Sequence, residues 1–375
     1  MERLTLAPRP DWRERVEALG LVWHTAGDVP YWNESACYRF ERREIREIER
    51  ATEELYGLCL IAGQHIIDQN LFHRFGIPDF AVPLIRQAWE DEAPALNYGR
   101  FDLGYDGVSP PKMFEFNCDT PTSLLEAAVV QWDWLEAVFP GRDQFNGIHD
   151  ALIARWREIA PRLQSPLAHF TWSSAGAAED AVTAAYMRDV AREGGVGSLA
   201  VPIEEIGWDG KGFIDDAGRP IEVMYHLYPW EWLTAEDFGP MIARAPTQWI
   251  EPIWKMIWSN KALLPILWEL FPGHPNLLEA SFEPLRGDHV SKPILAREGA
   301  NIAVVRDGRV VEATGGGYGD EARIWQGLYD LPDFDGRRPV IGSWVVDGAA
   351  AGMGIREAGL VTGNTARFVP HVIEG

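Results

Sequence analysis

Only three cysteines occur in the 375-residue sequence, and Cys37, Cys59 and Cys118 are too scattered for a disulfide framework or a repeated Cys-x-x-Cys metal site. A reducing compartment is the expectation. Basic residues are also scarce, with 34 Lys and Arg against 56 Asp and Glu and a net charge of −22 at pH 7. That balance excludes non-specific binding to nucleic acid, which needs a basic surface. It suits a polycationic partner, or serves only to keep the surface soluble. No run is long and apolar enough to span a bilayer, and Met1 to Pro10 lacks the apolar core of a signal segment, so a cytoplasmic location is expected. The nine histidines offer no His-Glu-x-x-His spacing, and no Gly-x-Ser-x-Gly elbow occurs. Gly207 to Gly212 holds a Gly-Lys pair without the following Ser or Thr of a Walker A loop. Gly315 to Gly319 completes no dinucleotide fingerprint and reads as a mobile glycine loop or a plain linker.

What is present is an apolar content of 46% with 24% charged residues, the balance of a globular protein large enough for two closely associated subdomains. Ile45, Ile48, Leu55, Cys59 and Ala62 recur at helical spacing, which predicts a long amphipathic helix over 43–68, with a second over 80–93. The alternating stretches Arg100–Tyr105 and Met113–Asn117 predict two antiparallel strands. Ser123 and Glu126 have capping-box spacing before the apolar helix 124–139. Strand, helix and strand between 168 and 202 form a βαβ unit, and 254–270 reads as one helix. Asp307-Gly308 and Asp347-Gly348 each sit between strands, and these two hairpins suggest an α+β lid.

Period-two geometry puts Arg100 and Asp102 on one strand face and Glu115 and Asn117 on another. If the strands pair, two carboxylates, an amide oxygen and a guanidinium converge, a half-site for a nucleotide-bound divalent cation. A solvated sheet face with a surface ion pair fits the same pattern. Phe114 and Phe116 bracket Glu115 as a buried opposite face would, and the helix entrance at 119–123 supplies backbone N–H groups nearby. Lys261 and Lys292, the latter read as beginning a strand, can project towards phosphate oxygens or lie on the surface. Gly299 permits close backbone approach to a ligand, or simply makes a turn. Cys118 is expected as a buried structural thiol, and Tyr228, Trp230 and Trp232 as packing residues or walls of a substrate groove.

The runs FEFNCDTPTSLLE from Phe114, WKMIWSNKALLPILWELFPGHPNLLE from Trp254, Lys292–Asn301, and Ile341–His371 with its Thr362-Gly363-Asn364-Thr365 pattern resemble the glutathionylspermidine synthase family. The likeness covers the chain beyond its first twenty residues or so. It implies an ATP-grasp fold of the glutathione-synthetase type, mixed α+β and α/β, with a pre-ATP-grasp subdomain. We expect 1–250 to carry the metal-site sheet and substrate part, and 251–375 the ATP-grasp part, its lid and a return to the central sheet. By this resemblance Asp102, Glu115 and Asn117 hold two Mg²⁺ ions and Arg100 lies beside the reacting carboxylate. Lys261 and Lys292 meet the nucleotide phosphates, Gln326 lies near adenine, and Arg356 contacts phosphate. The implied activity is an ATP-dependent carboxylate–amine ligase working through an acyl phosphate on a peptide or glutathione-like acid and a polyamine-like amine. A non-catalytic ATP-binding protein, or a ligase for another peptide or amino acid, is the alternative. Because the synthetase-like region begins almost at once, the family's N-terminal amidase is expected to be absent.

Overall fold

The periodic stretch after Arg43 folds as a helix from Arg42 to Asp68. Its start is a capping box, with Glu41 taking an N–H of the first turn and Glu44 taking the Glu41 N–H. Ile45, Ile48, Leu55, Cys59 and Ala62 are all buried, and the helix packs on strands Arg338–Val346 and Ala349–Ala358 and on helix Leu263–Leu270. Thr52 and Ser343 meet across this contact with their hydroxyls 2.6 Å apart. The computed structural model describes residues 1–176, 178–363 and 366–374; Asn364 and Thr365 of the glycine-containing motif lie outside them.

Those two strands belong to a five-stranded antiparallel sheet in the order Arg367–Val369, Ala349–Ala358, Arg338–Val346, Tyr98–Gly104, Lys112–Asn117. Beside it stands a four-stranded parallel sheet ordered Gln248–Ile250, Val223–Leu227, Leu167–Trp172, Gly197–Ala200. Helix Ala178–Glu193 makes the expected βαβ crossover. A second antiparallel sheet of five strands carries His289–Pro293 between Arg323–Gly327 and Ala303–Arg306. The two hairpins read as one lid are therefore separated. Ala303–Ala313 lies in this second sheet, whereas Arg338–Ala358 is the middle of the first, because its alternate residues are apolar enough to be buried on both faces.

Two helical expectations need correction. The capping box at Ser123 does not form: Ser123 has φ +65°, and Glu126 turns inward to accept from the Tyr31 hydroxyl at 2.8 Å and Trp23 Nε1 at 3.2 Å. The helix after it opens with a wide turn over Glu126–Val130 before Gln131–Val138. The stretch 254–270 is two helices, Lys255–Trp258 and Leu263–Leu270, and the break between them carries Lys261.

The C-terminal strand His371–Ile373 pairs in parallel with Ala36–Phe40, and His371 locks it. Its Nε2 accepts the Phe145 N–H at 3.1 Å, so its Nδ1 carries the proton and donates to Gln131 Oε1 at 3.0 Å. Burial pushes this imidazole down to about 3. A group with a lowered folded-state pKa gives stability that is present above its unfolded value near 6.5 and lost as pH falls towards the folded one. Comparing His371→Gln with the parent by denaturant unfolding should show the parent's advantage shrinking by about 2 kcal/mol between pH 7 and pH 5. A pH-independent difference would contradict the neutral imidazole.

Candidate active site

Strands Tyr98–Gly104 and Lys112–Asn117 pair so that Arg100 faces Asn117 and Asp102 faces Glu115. The four polar groups thus meet on one face, as the alternation predicts. Beneath them Phe101 and Phe116 stack with centroids 3.8 Å apart, a cross-strand aromatic pair that holds the register. Phe114 departs from expectation. It is the extra residue of a bulge in its own strand, since the adjacent Asp102 and Leu103 pair with Glu115 and Met113, so it lines the cleft beside Glu115 instead of the core. The bulge also leaves the Phe114 carbonyl to accept from Lys292 Nζ at 3.2 Å.

Cationic side chains from distant parts of the chain converge on the two carboxylates. Arg100 Nε donates to Asp102 Oδ1 at 2.7 Å, and Arg356 Nη2 donates to Asp102 Oδ2 at 2.6 Å. Arg100 also gives a hydrogen bond to the Thr122 carbonyl, which ties the hairpin to the helix entrance. Lys261 Nζ lies 3.0 Å from Glu115 Oε2 and donates to the Ala296 carbonyl at 2.6 Å. Asn117 Nδ2 reaches Glu115 Oε1 at 3.3 Å. Burial alone would raise Glu115, but Lys261, Lys292 and Arg356 together outweigh it and hold this carboxyl well below the usual carboxylate range. Lys292 is buried near the end of its strand, not at its start, and donates to Gln326 Oε1 at 2.7 Å. Burial brings its ammonium down to about 8 despite Glu115. Four cationic groups, Arg100, Lys261, Lys292 and Arg356, face the two carboxylates Asp102 and Glu115, whereas over the whole cleft lining six Arg and Lys stand against six Asp and Glu.

All nine residues singled out from the sequence, Gly299 and Gln326 included, line one cleft of about 440 Å³. Gly299 has φ +71°, and a Cβ there would lie 2.9 Å from the Thr362 carbonyl oxygen. Gln326 has both ends of its amide engaged, since its Nε2 donates to the Met113 carbonyl at 3.0 Å. Two members of the cleft escaped sequence reasoning. Arg297 is bound by Glu231 at 2.7 Å and donates to Thr120 Oγ1 at 2.9 Å; their spacing of 66 residues gives no local signal. Trp230 is core rather than groove, with its ring fully buried and its backbone N–H given to Asp119 at 2.8 Å. Cys118 is buried as expected, and burial pushes its thiol up to about 12.

Asp102, Glu115 and Asn117 offer oxygen donors only, the kind a hard divalent cation takes. Among the described residues no group of three or more His, Cys, Asp or Glu could hold a metal ion. Two carboxylates and one amide oxygen fit a cation that arrives with phosphate and water ligands, not one caged by protein alone.

The fold is of the ATP-grasp type, and the family and relatives that the chain matches make it a carbon–nitrogen ligase. The glutathione synthetase-like effector of Globodera pallida, in its apo form, has the same fold at a TM-score of 0.59 and 11% identity over 97% of this chain and 95% of that one. Residues 3–374 match the family described as glutathionylspermidine synthase preATP-grasp, and the chain belongs to it. It is 40% identical over 391 aligned residues, 99% of both chains, to a Haemophilus influenzae protein named "Putative acid--amine ligase". It is 28% identical to the trypanothione synthetase of Crithidia fasciculata and to the bifunctional glutathionylspermidine synthetase/amidase of Escherichia coli, spanning 51% and 56% of their lengths.

The Arg100 side chain lies across Gly342, where a Cβ would stand 2.6 Å from Arg100 Cδ. Gly342→Ala should therefore displace the guanidinium from Asp102 and cost about 1–3 kcal/mol. Chemical denaturation reads the cost; a loss under about 0.5 kcal/mol would show that the sheet absorbs the methyl group without moving Arg100.

Proposed function

We propose that this chain uses ATP to convert a small-molecule carboxylate into an acyl phosphate and then couples it to an amine, releasing ADP and phosphate and leaving an amide. The observation that carries this reading is the surplus of positive charge at the cleft floor, which suits a polyphosphate and is hard to explain as stabilisation. Buried ion pairs repay little of their desolvation cost, so six charged groups in one place are a poor way to hold a fold together.

Lys261 and Lys292 serve as point charges for the nucleotide phosphates, with Gln326 and the Phe114 carbonyl aiming Lys292. Gly299, without a side chain, lets the backbone of its loop approach the nucleotide, and the segment of Gln326 lies towards adenine. Asp102, Glu115 and Asn117 would hold Mg²⁺, two ions in this reading, which would supply positive charge to offset that of the phosphates. Arg356 then turns from Asp102 towards the transferring phosphoryl group, and Arg100 orients the acceptor carboxylate. One carboxylate oxygen attacks the γ-phosphorus and ADP leaves. The amine nitrogen next attacks the carbonyl carbon, phosphate departs with that oxygen, and the nitrogen loses a proton. The second sheet with its glycine-containing loop covers the site and keeps water from the acyl phosphate.

The acid is a small peptide or glutathione-like molecule and the amine a polyamine-like cation. The names of the relatives support this. We assign the substrate and metal-site part to 1–250 and the ATP-grasp part to 251–375. A cytoplasmic setting fits three free, buried thiols, and no helix among the described residues is long and apolar enough to cross a membrane.

Phosphate release from ATP, assayed with acids crossed against amines and with product mass measured, tests the reading. Glu115→Gln should fold normally and lose turnover by at least about a hundredfold, since a lost charge clamp is worth roughly 3 kcal/mol of transition-state stabilisation. Lys292→Met should weaken the thermal stabilisation given by ATP with Mg²⁺. Near-parental turnover in the first variant, or an unchanged thermal shift in the second, would remove the assigned role.

A further inference from the structure

Asp119 sits on the short loop between strand Lys112–Asn117 and the Thr122 carbonyl that Arg100 binds. The residue lines the cleft and is 2% exposed. Its Oδ2 accepts the Trp230 N–H at 2.8 Å, whereas its Oδ1 is buried with no hydrogen-bond partner among the described residues. His226 Nε2 stands 4.0 Å from that oxygen, too far to donate, and both nitrogens of its ring face backbone carbonyls, Tyr228 at 2.8 Å and Glu251 at 2.9 Å. Arg297, close enough for its charge to be felt by Asp119, is engaged by Glu231 and by Thr120 Oγ1. A buried carboxylate oxygen without a donor is destabilising, and the missing hydrogen bond is gained when a donor arrives from the cleft.

We propose that Asp119 Oδ1 is the docking point for the attacking nitrogen of the amine substrate. The inference rests on the ligase reading and adds a residue to its second step, which the groups around Asp102 and Glu115 do not serve. Phosphate and carboxylate oxygens of ATP and the acid only accept hydrogen bonds, and the charges of Asp119 and Glu231 repel them. Those oxygens have Arg100, Lys261, Lys292 and Arg356 to meet instead. The amine nitrogen carries N–H donors, and an ammonium adds a positive charge that strengthens the contact with a carboxylate. Either protonation state of the nitrogen offers the N–H that Oδ1 lacks. Position favours the attacking nitrogen over a remote one. Asp119 lies between Asn117 on the metal side and Thr122, which Arg100 binds, so a nitrogen held there stands beside the carboxylate that Arg100 orients.

Calorimetric titration of the full chain with 1,4-diaminobutane, in the parent and in Asp119→Asn, tests this. The amide of the variant gives its oxygen to the Trp230 N–H and leaves an NH₂ facing the cleft, where it meets the substrate donor to donor. Diaminobutane should bind the variant at least about tenfold more weakly, the loss of one charge-assisted hydrogen bond. The thermal shift given by ATP with Mg²⁺ should be the same in both proteins. A measurement on the parent alone guards against misfolding of the variant: 1,4-bis(trimethylammonio)butane, with the same charge and no N–H, should bind at least about tenfold more weakly than diaminobutane. An ammonium on the acid substrate is the other source of this chemistry, and glycylglycine represents it; its affinity should change by less than about twofold in Asp119→Asn. No diaminobutane binding to the parent, equal binding to parent and variant, or equal binding of the quaternary compound would overturn the proposal. So would a loss confined to glycylglycine, which would give the oxygen to the acid, or a variant that loses the nucleotide shift as well, which would make Asp119 structural. Asp119-dependent diamine binding without phosphate release from any acid and amine pair would uphold the docking point and sink the ligase reading. Phosphate release with Asp119-independent diamine binding would do the reverse.

Discussion

Asp102 and Glu115 stand opposite one another on paired strands, where like charges repel and partial burial strengthens the repulsion. Left alone, such a pair is costly to keep charged. The rest of the molecule brings cations to both carboxylates. Arg100 comes from the same strand, Arg356 from the central sheet, Lys261 from the break between two helices and Lys292 from the second sheet. Each cation arrives on a different element. The carboxylate pair therefore ties three layers together, and any change in how those layers sit changes the charge balance at the cleft floor.

This dependence gives the cleft its chemistry. Cations paired with these carboxylates can exchange those partners for phosphate oxygens, which are stronger acceptors arranged in greater number. The interactions that tolerate the carboxylate pair in the free protein become the interactions that hold a nucleotide. Arg100, bound at the same time to Asp102 and to the Thr122 carbonyl, has the least freedom to change partners. It is suited to positioning a substrate, whereas the more exposed Arg356 is suited to moving.

The local half of this arrangement was legible in the sequence. Period-two alternation puts Arg100, Asp102, Glu115 and Asn117 on one face, and helical spacing marks the buried stripe of 42–68, because both depend only on backbone geometry. The bulge that turns Phe114 into the cleft was not legible, since it depends on how two strands compromise over register. Nor was the break at Lys261: residues 254–270 have helical composition throughout, but the Lys261 N–H pairs with the Ile294 carbonyl at 2.9 Å and tertiary contact overrides local preference. The Glu231–Arg297 pair leaves no local trace, being a contact between segments far apart in the chain. The roles of Lys261, Lys292, Gln326 and Arg356 came from family resemblance; the geometry adds the partners each now holds.

The central claim is that the acid is activated by phosphorylation before the amine attacks, and the fate of one oxygen atom decides it. With an acid labelled by ¹⁸O in its carboxylate, ATP and an amine, the account predicts that the phosphate released during product formation carries one ¹⁸O, detected as a mass shift in the phosphate itself. Unlabelled phosphate accompanying amide product would mean that the carboxylate oxygen never bonded to phosphorus, and the account would fail at its main step.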